Sequence, residues 1–232
     1  MVVMRALLCV VVLLGTAALA KDRVTEVRGR RTDDLKAMLK KAGLSYPPDE
    51  VYLRMFKEDR QLELWVGQGG KPLVLLSTYP VCAASGELGP KRMEGDLQVP
   101  EGFYEVSQFH STSNYHLALK VSYPNASDRA RSDARHPGGL IYLHGGCASI
   151  GCIAIENEPV EEVYLLALDA KVRSIPFHIF PFRMTAKALE AHADSPNAPF
   201  WKELAPGYEQ FEASHRPARV AIDPKSGAYS VR

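Results

Sequence analysis

The run from Leu140 to Ile155 restricts the chain more than any other stretch. Leu140-Ile141-Tyr142-Leu143 is an apolar run that delivers His144. Gly145, Gly146 and Gly151 follow, then Cys152, and Ile153-Ala154-Ile155 leads away. Two β-capable runs joined by a glycine-rich turn place a histidine and a cysteine on its two lips. The glycines supply conformations and close approaches that a Cβ would block. An imidazole near a thiol can take its proton, the minimum requirement of a cysteine nucleophile. Backbone N–H groups between Gly145 and Gly151 could then hold an oxyanion, and Ser149 could brace the turn or orient His144. Other readings stay open at this point. His144, Cys147 and Cys152 are a possible metal trio, although no fourth ligand is suitably spaced. Cys152 can also be a buried structural thiol.

The first twenty residues bear on that choice. Arg5 precedes the apolar run Ala6 to Leu14, and Ala18-Leu19-Ala20 follows, the layout of a secretory signal peptide cut after Ala20. The run is short of the ~20 apolar residues that a membrane span needs. Of 28 basic residues, removal takes only Arg5 and leaves 27 against 27 acidic ones, so there is no electrostatic footprint for nucleic acid. An exported, oxidising compartment is expected. Three cysteines then remain, Cys82, Cys147 and Cys152, and an odd count suggests one disulfide and one free thiol. The preferred pairing is Cys82 with Cys147, because Cys152 has the more exposed setting. Three reduced thiols, or a Cys147–Cys152 pair, are the alternatives.

Along the chain, residues 21–31 read as a polar, basic lead-in, and Asp33 and Asp34 suit the start of a helix over 33–42 ended by Gly43. Alternating runs predict strands at 51–57, 61–66, 72–79, 103–109, 116–121, 140–144 and 152–155. Residues 83–102 and 122–139 are expected to be loops, and the first is long enough to suggest function. A helix over 159–172 starts on Pro159, and a strand over 176–182 ends the core. Thr185 caps a helix to about Ala193, another covers 198–211, and 220–222 with 228–231 make a small hairpin. Phe200, Trp201 and Tyr208 read as packing. His110 and His116 read as strand-edge residues, and Lys91 and Arg92 as surface residues. Arg183 could bind a substrate carboxylate bidentately, or form a structural salt bridge. Arg129 has the same ambiguity, with an Asp128–Arg129 ion pair favoured.

His144-Gly145 followed by Ser149-Ile150-Gly151-Cys152-Ile153 resembles the signature of the L,D-transpeptidase (YkuD catalytic domain) family, which edits peptidoglycan through a cysteine thioester. The usual pattern is His-Gly, a spacer, then Ser-His-Gly-Cys-(Ile/Val)-Arg. Here the spacer is short, Ile150 stands at the second histidine and Ala154 at the arginine. Further stretches are similar to the YafK-like branch: Ser85 to Lys91, Gly95-Asp96, Pro100 to Tyr104, Asp128-Arg129-Ala130, Phe180 to Thr185, and Pro206-Gly207-Tyr208. The resemblance implies a mainly β fold, a YkuD-type β-sandwich of mixed sheets with C-terminal helices appended. It implies a signal peptide at 1–20, a lead-in and helix at 21–49, a catalytic domain at 50–184, and a helical extension with a hairpin at 185–232. It makes Cys152 the nucleophile and His144 the base, and calls for no cofactor or metal. The implied partners are peptidoglycan stem peptides containing diaminopimelate and an outer-membrane lipoprotein attached to the wall, in the periplasm. The branch points to hydrolysis of the diaminopimelate–protein amide. A crosslink-forming L,D-transpeptidase and a non-catalytic peptidoglycan-binding module are the alternatives.

Overall fold

The computed structural model describes residues 22–172 and 174–232; the signal-peptide reading of residues 1–20 lies outside them. The strands β1 (Glu50–Phe56), β2 (Gln61–Gly67) and β3 (Val74–Pro80) form the expected meander. Arg60 adopts φ 50° at the β1–β2 turn, which lets four residues reverse the chain. After β4 (Ala83–Ala84) come the long β5 (Gly102–Ser113), β6 (His116–Val121), β7 (Tyr142–His144), β8 (Ile153–Ala154) and β9 (Pro176–Phe180). They assemble in the order β3-β2-β1-β9-β5-β6-β7-β8-β4.

This is the mainly β, mixed-sheet fold, with its two halves joined into one curled sheet. The joint is β5. Its residues Gly102 to Glu105 pair with β9, and Val106 to Ser113 pair with β6. The register shifts between Val106 and Gln108, and such an irregularity bends a strand and strengthens its twist. Strand β9 lies between β1 and β5, parallel to the first and antiparallel to the second.

Alternation of side chains divides the packing. Leu53, Met55, Leu62 and Leu64 from one half join Leu117, Leu119, Leu143 and Ile153 from the other in a single buried core. Helices α1 (Arg23–Lys41) and α3 (Asn157–Asp169) close it with Val27, Leu35, Leu39, Val163 and Leu166. On the opposite face, Phe56 and Phe180 meet Trp201, Leu204 and Tyr208, while Tyr52 and Trp65 meet Phe211. Those partners belong to α5 (Ala198–Ser214), so β1 and β2 are buried on both faces. Phe200, Trp201 and Tyr208 are thus packing residues. Helix α4 (Ala186–Ala191) starts at Thr185, whose side chain accepts from Ala188 N–H, and β10 (Val220–Ile222) pairs with β11 (Tyr229–Val231).

Two expectations are corrected. Residues 23–31 are the first half of α1, not a lead-in, and Asp33 and Asp34 lie inside the helix. Arg28 pairs with Asp169, Arg30 with Glu161, and Arg31 with Glu162, so distant carboxylates of α3 hold this polar segment helical. The loop over 122–139 contains α2 (Ala126–Arg131), where Asn125 and Asp128 form a reciprocal capping box. Asp128 is therefore a capping residue that also accepts from the Tyr104 hydroxyl at 3.2 Å, and no ion pair joins it to Arg129.

One buried carboxylate fastens the long loop before β5. Glu101 is 0% exposed and pairs with the Lys57 ammonium at 2.9 Å. It also accepts from Gly89 N–H at 2.7 Å and from Trp201 Nε1 at 2.8 Å. Lys57 donates onward to the carbonyls of Gly89 and Val99. Burial pulls the Lys57 pKa down, and the Glu101 charge opposes it. Glu101→Gln removes the counter-charge and strands the ammonium in the core. The expected loss is roughly 3–5 kcal/mol in urea unfolding; a loss below about 1 kcal/mol would show that the pair is not the fastening point.

Candidate active site

Strands β7 and β8 run parallel, with Leu143 opposite Ile153 and His144 opposite Ala154. Cys152 immediately precedes β8 and comes level with Tyr142. Because side chains alternate along a strand, Tyr142, His144, Cys152 and Ala154 share one face. The expected strands at 140–144 and 152–155 are shorter, the first starting only at Tyr142 after Leu140 at φ 55° and the second covering Ile153–Ala154, but they deliver the two residues as their pattern implies.

His144 is 3% exposed, and its Nδ1 lies 2.6 Å from the Gly145 carbonyl. A carbonyl only accepts, so Nδ1 carries the proton and Nε2 keeps its lone pair. Burial lowers the His144 pKa, and the Gly145 carbonyl partly opposes this. The Tyr115 ring covers the imidazole with centroids 4.8 Å apart. Cys152 is a free, half-buried thiol that donates to the Leu140 carbonyl at 3.7 Å, not to the imidazole. Burial pushes its pKa up, while a backbone hydrogen bond and the Lys91 charge pull the other way. The resting site thus holds a neutral thiol beside a neutral base, and catalytic contacts of this kind commonly tighten only when substrate is bound.

Two cavities meet at this pair. One of about 770 Å³ is walled by residues 135–141, together with Lys91, Glu94, Leu97 and Ser149. The other, of about 280 Å³, is lined by His110, Thr112, Asn114 and Tyr142. His144, Cys152 and Tyr115 line both. The thiol is therefore open to both cavities.

The turn is heavily braced. Ser149 Oγ donates to the Cys152 carbonyl at 2.6 Å and accepts from Gly151 N–H at 3.3 Å. Ser149 shapes the turn and makes no hydrogen bond to His144. Gly145 N–H is committed to the carbonyls of Tyr115 and Leu117, which corrects its expected place among the oxyanion donors. Its requirement for glycine is steric, since a Cβ there would lie 2.4 Å from Asn157 Oδ1. Gly151 adopts φ +113°, and its N–H is held by Ser149. Cys82 and Cys147 form a disulfide, and Cys82 N–H also donates to the Ala154 carbonyl at 3.0 Å. With Cys147 Sγ in that bond, the metal trio cannot form, and no cluster of three or more His, Cys, Asp or Glu suited to a metal occurs among the described residues.

Neither arginine proposed for substrate binding reaches the cavities. The Arg183 guanidinium is taken by Asp59, Glu63 and Gln61, each at 2.9 Å, and lies over the Phe56 ring. Arg129 is an exposed residue of α2 away from both cavity walls. Lys91, read from sequence as a surface residue, is instead buried and donates to Asp96 Oδ1 and the Met93 carbonyl. His110 lies edge-on to Tyr142 in the smaller cavity, and His116 bonds Glu161 at 2.6 Å. Tyr115, Lys91 and Arg135 are site residues that sequence reasoning missed. Only the Lys91 to Asp96 spacing carried a local signal, through the Asp96 carboxylate that also accepts from the N–H groups of Arg92, Met93 and Gln98.

The depressed His144 pKa sets the sign of the pH dependence. The imidazole stays neutral, and competent as a base, down to a pH below the ordinary ~6.5. Acylation of Cys152, followed by intact-mass spectrometry, is expected to lose rate only below that point. Iodoacetamide alkylation, which needs the thiolate, is expected to keep rising past the ordinary thiol value of ~8.5. An alkylation plateau near pH 6 would instead indicate a resting thiolate–imidazolium pair.

The family model for the L,D-transpeptidase catalytic domain (YkuD) matches residues 50–175. YafK of Escherichia coli K12, whose name assigns it to the L,D-transpeptidases, is 40% identical over 186 residues, covering 78% of this chain and 73% of that protein. The same protein from Escherichia coli O157:H7 matches equally. In three dimensions the chain is similar to a variant of the helical cell shape determining protein Pgp2 from Campylobacter jejuni. The TM-score is 0.50 at 17% identity, with 82% of this chain and 79% of that one covered, a likeness of fold alone. The chain belongs to the L,D-transpeptidase (YkuD) family.

Proposed function

We propose that the chain is an exported cysteine enzyme that acts by acyl-thioester transfer at meso-diaminopimelate in peptidoglycan, and that it hydrolyses the amide joining the wall to a covalently attached lipoprotein. The observation that carries this reading is the free Cys152 thiol on the same strand face as His144, where two cavities meet. Nε2 of His144 takes the Cys152 proton as sulfur attacks the diaminopimelate carbonyl. The tetrahedral intermediate collapses, His144 returns the proton to the leaving lysine amine, and a thioester remains. Water, deprotonated by the same Nε2, releases the carboxylate and restores the thiol.

The departures around Cys152 favour cutting over crosslinking. Ala154, at the position of the family's usual arginine, is fully buried and offers no charge to a donor peptide. Ile150 is 83% exposed and gives the rim an apolar side chain where the wider pattern has a second histidine. The Cys82–Cys147 disulfide supports an oxidising compartment, consistent with export to the periplasm. Transpeptidation is the second reading, favoured by the smaller cavity, which could admit an amine in place of water.

Incubation with lipoprotein-linked sacculi separates these readings. Release of free lipoprotein by the wild type, abolished in Cys152→Ala and reduced at least about a hundredfold in His144→Ala, is expected. New crosslinks without release would favour transpeptidation. Neither product, and no acyl adduct on Cys152, would leave a binding module.

A further inference from the structure

The larger cavity carries charge that the chemistry at Cys152 does not use. Lys91 is committed to Asp96, and the guanidinium of Arg183 is spent elsewhere. Two charged side chains on this wall have no ion-pair or hydrogen-bond partner among the described residues, Arg135 and Glu94. Their backbones, by contrast, are fixed. Glu94 N–H donates to the His136 carbonyl at 2.8 Å, which joins the two loops. Asp133 Oδ1 accepts from the N–H groups of Arg135 and His136, and Asp133 N–H reaches the Arg92 carbonyl. One cation and one anion thus project from adjoining, pinned loops into the cavity that holds the thiol. The same lining includes the exposed side chains of Leu97 and Leu140, an apolar surface suited to methylene groups.

A lone cation would select a carboxylate, and a lone anion an ammonium. One of each, left unpaired with the other, favours a ligand that carries both and disfavours a singly charged one through the like charge beside it. We propose that Arg135 and Glu94 together bind a zwitterionic α-amino acid head group of the acyl donor, with the carboxylate on Arg135 and the ammonium on Glu94. A short aliphatic chain would run from this head group to the carbonyl attacked by Cys152. This rests on the reading of Cys152 as the acylated nucleophile. It also deepens that reading, because diaminopimelate amidated at one end still carries a free ammonium and carboxylate on a single carbon at the other. Recognition would then lie with the free end of the side chain, in place of the arginine that Ala154 replaces.

The test needs no wall substrate. Cys152 of the whole protein is modified with three methanethiosulfonates, bearing a sulfonate, a trimethylammonium or a plain methyl group, and the rates are read by mass spectrometry. Dividing each charged rate by the neutral rate removes changes in thiol reactivity. Arg135→Gln is expected to lower the anionic-to-neutral ratio about two- to fivefold, the range for exposed charges, and Glu94→Gln to lower the cationic ratio similarly. Arg135→Lys should retain most of the anionic preference, and 0.5 M salt should abolish both. Unchanged ratios in both glutamine variants would overturn the proposal. In a second arm, stem peptides with the free amine acetylated or the free carboxylate amidated should raise KM in the wild type but add little in the matching variant. If the ratios shift while no lipoprotein is released, the charge site stands and the proposed reaction falls. If release occurs with unchanged ratios, the reverse holds.

Discussion

The buried Glu101 carboxylate, held between Lys57, Gly89 and Trp201, is the constraint on which the arrangement of this protein turns. Those three partners lie at the end of β1, in the long loop before β5 and on α5. A buried charge must be matched or the fold gives way, so the three segments are obliged to meet at one point. The loop carries Lys91, Glu94 and Leu97 to the cavity wall, and Asp96 ties its far end by accepting from three backbone N–H groups and Lys91. The long loop expected from sequence is therefore an ordered wall, set by the hydrogen bonds of two carboxylates, Glu101 and Asp96.

The reacting pair follows a different logic. Its members are placed by β geometry, with β7 and β8 in parallel register, and by a turn that Ser149 Oγ clamps between the Cys152 carbonyl and Gly151 N–H. Desolvation acts on both, lowering the affinity of His144 for a proton and raising that of Cys152. The two shifts both oppose transfer of the thiol proton to the imidazole in the unliganded cavity.

The strands were readable from apolar residues at alternate positions, as in Leu62, Leu64 and Val66, although that pattern gave no sign that Glu63 and Trp65 on the other face are buried as well. The His144–Cys152 turn was readable because its glycines leave few other conformations. The first half of α1 was not: its one close local pair, Glu26 with Arg30, is a weak signal, and the carboxylates that hold Arg28, Arg30 and Arg31 against the core, Asp169, Glu161 and Glu162, are remote in sequence. Lys91 was misread as a surface residue, while Arg183 took the salt-bridge alternative over the substrate-binding one. A charged residue read in isolation gives no sign of which carboxylate will claim it. Helix α2 did carry a local signal, the Asn125 to Asp128 spacing, but six residues are too few to show a helical period inside a Gly- and Pro-bearing stretch.

The central position of β9 has a consequence for how the chain is made. The strands on either side of it, β1 and β5, are complete by residue 113, yet their pairing partner ends at Phe180. Until that segment emerges, the two halves of the sheet each carry an open edge of unpaired backbone groups, and the apolar core between them stays exposed. Such long-range closure is slow relative to local helix formation. In synthesis from the N-terminus, the β1–β3 and β5–β6 pairings can form early, but the two halves cannot be joined into one sheet until β9 has been made.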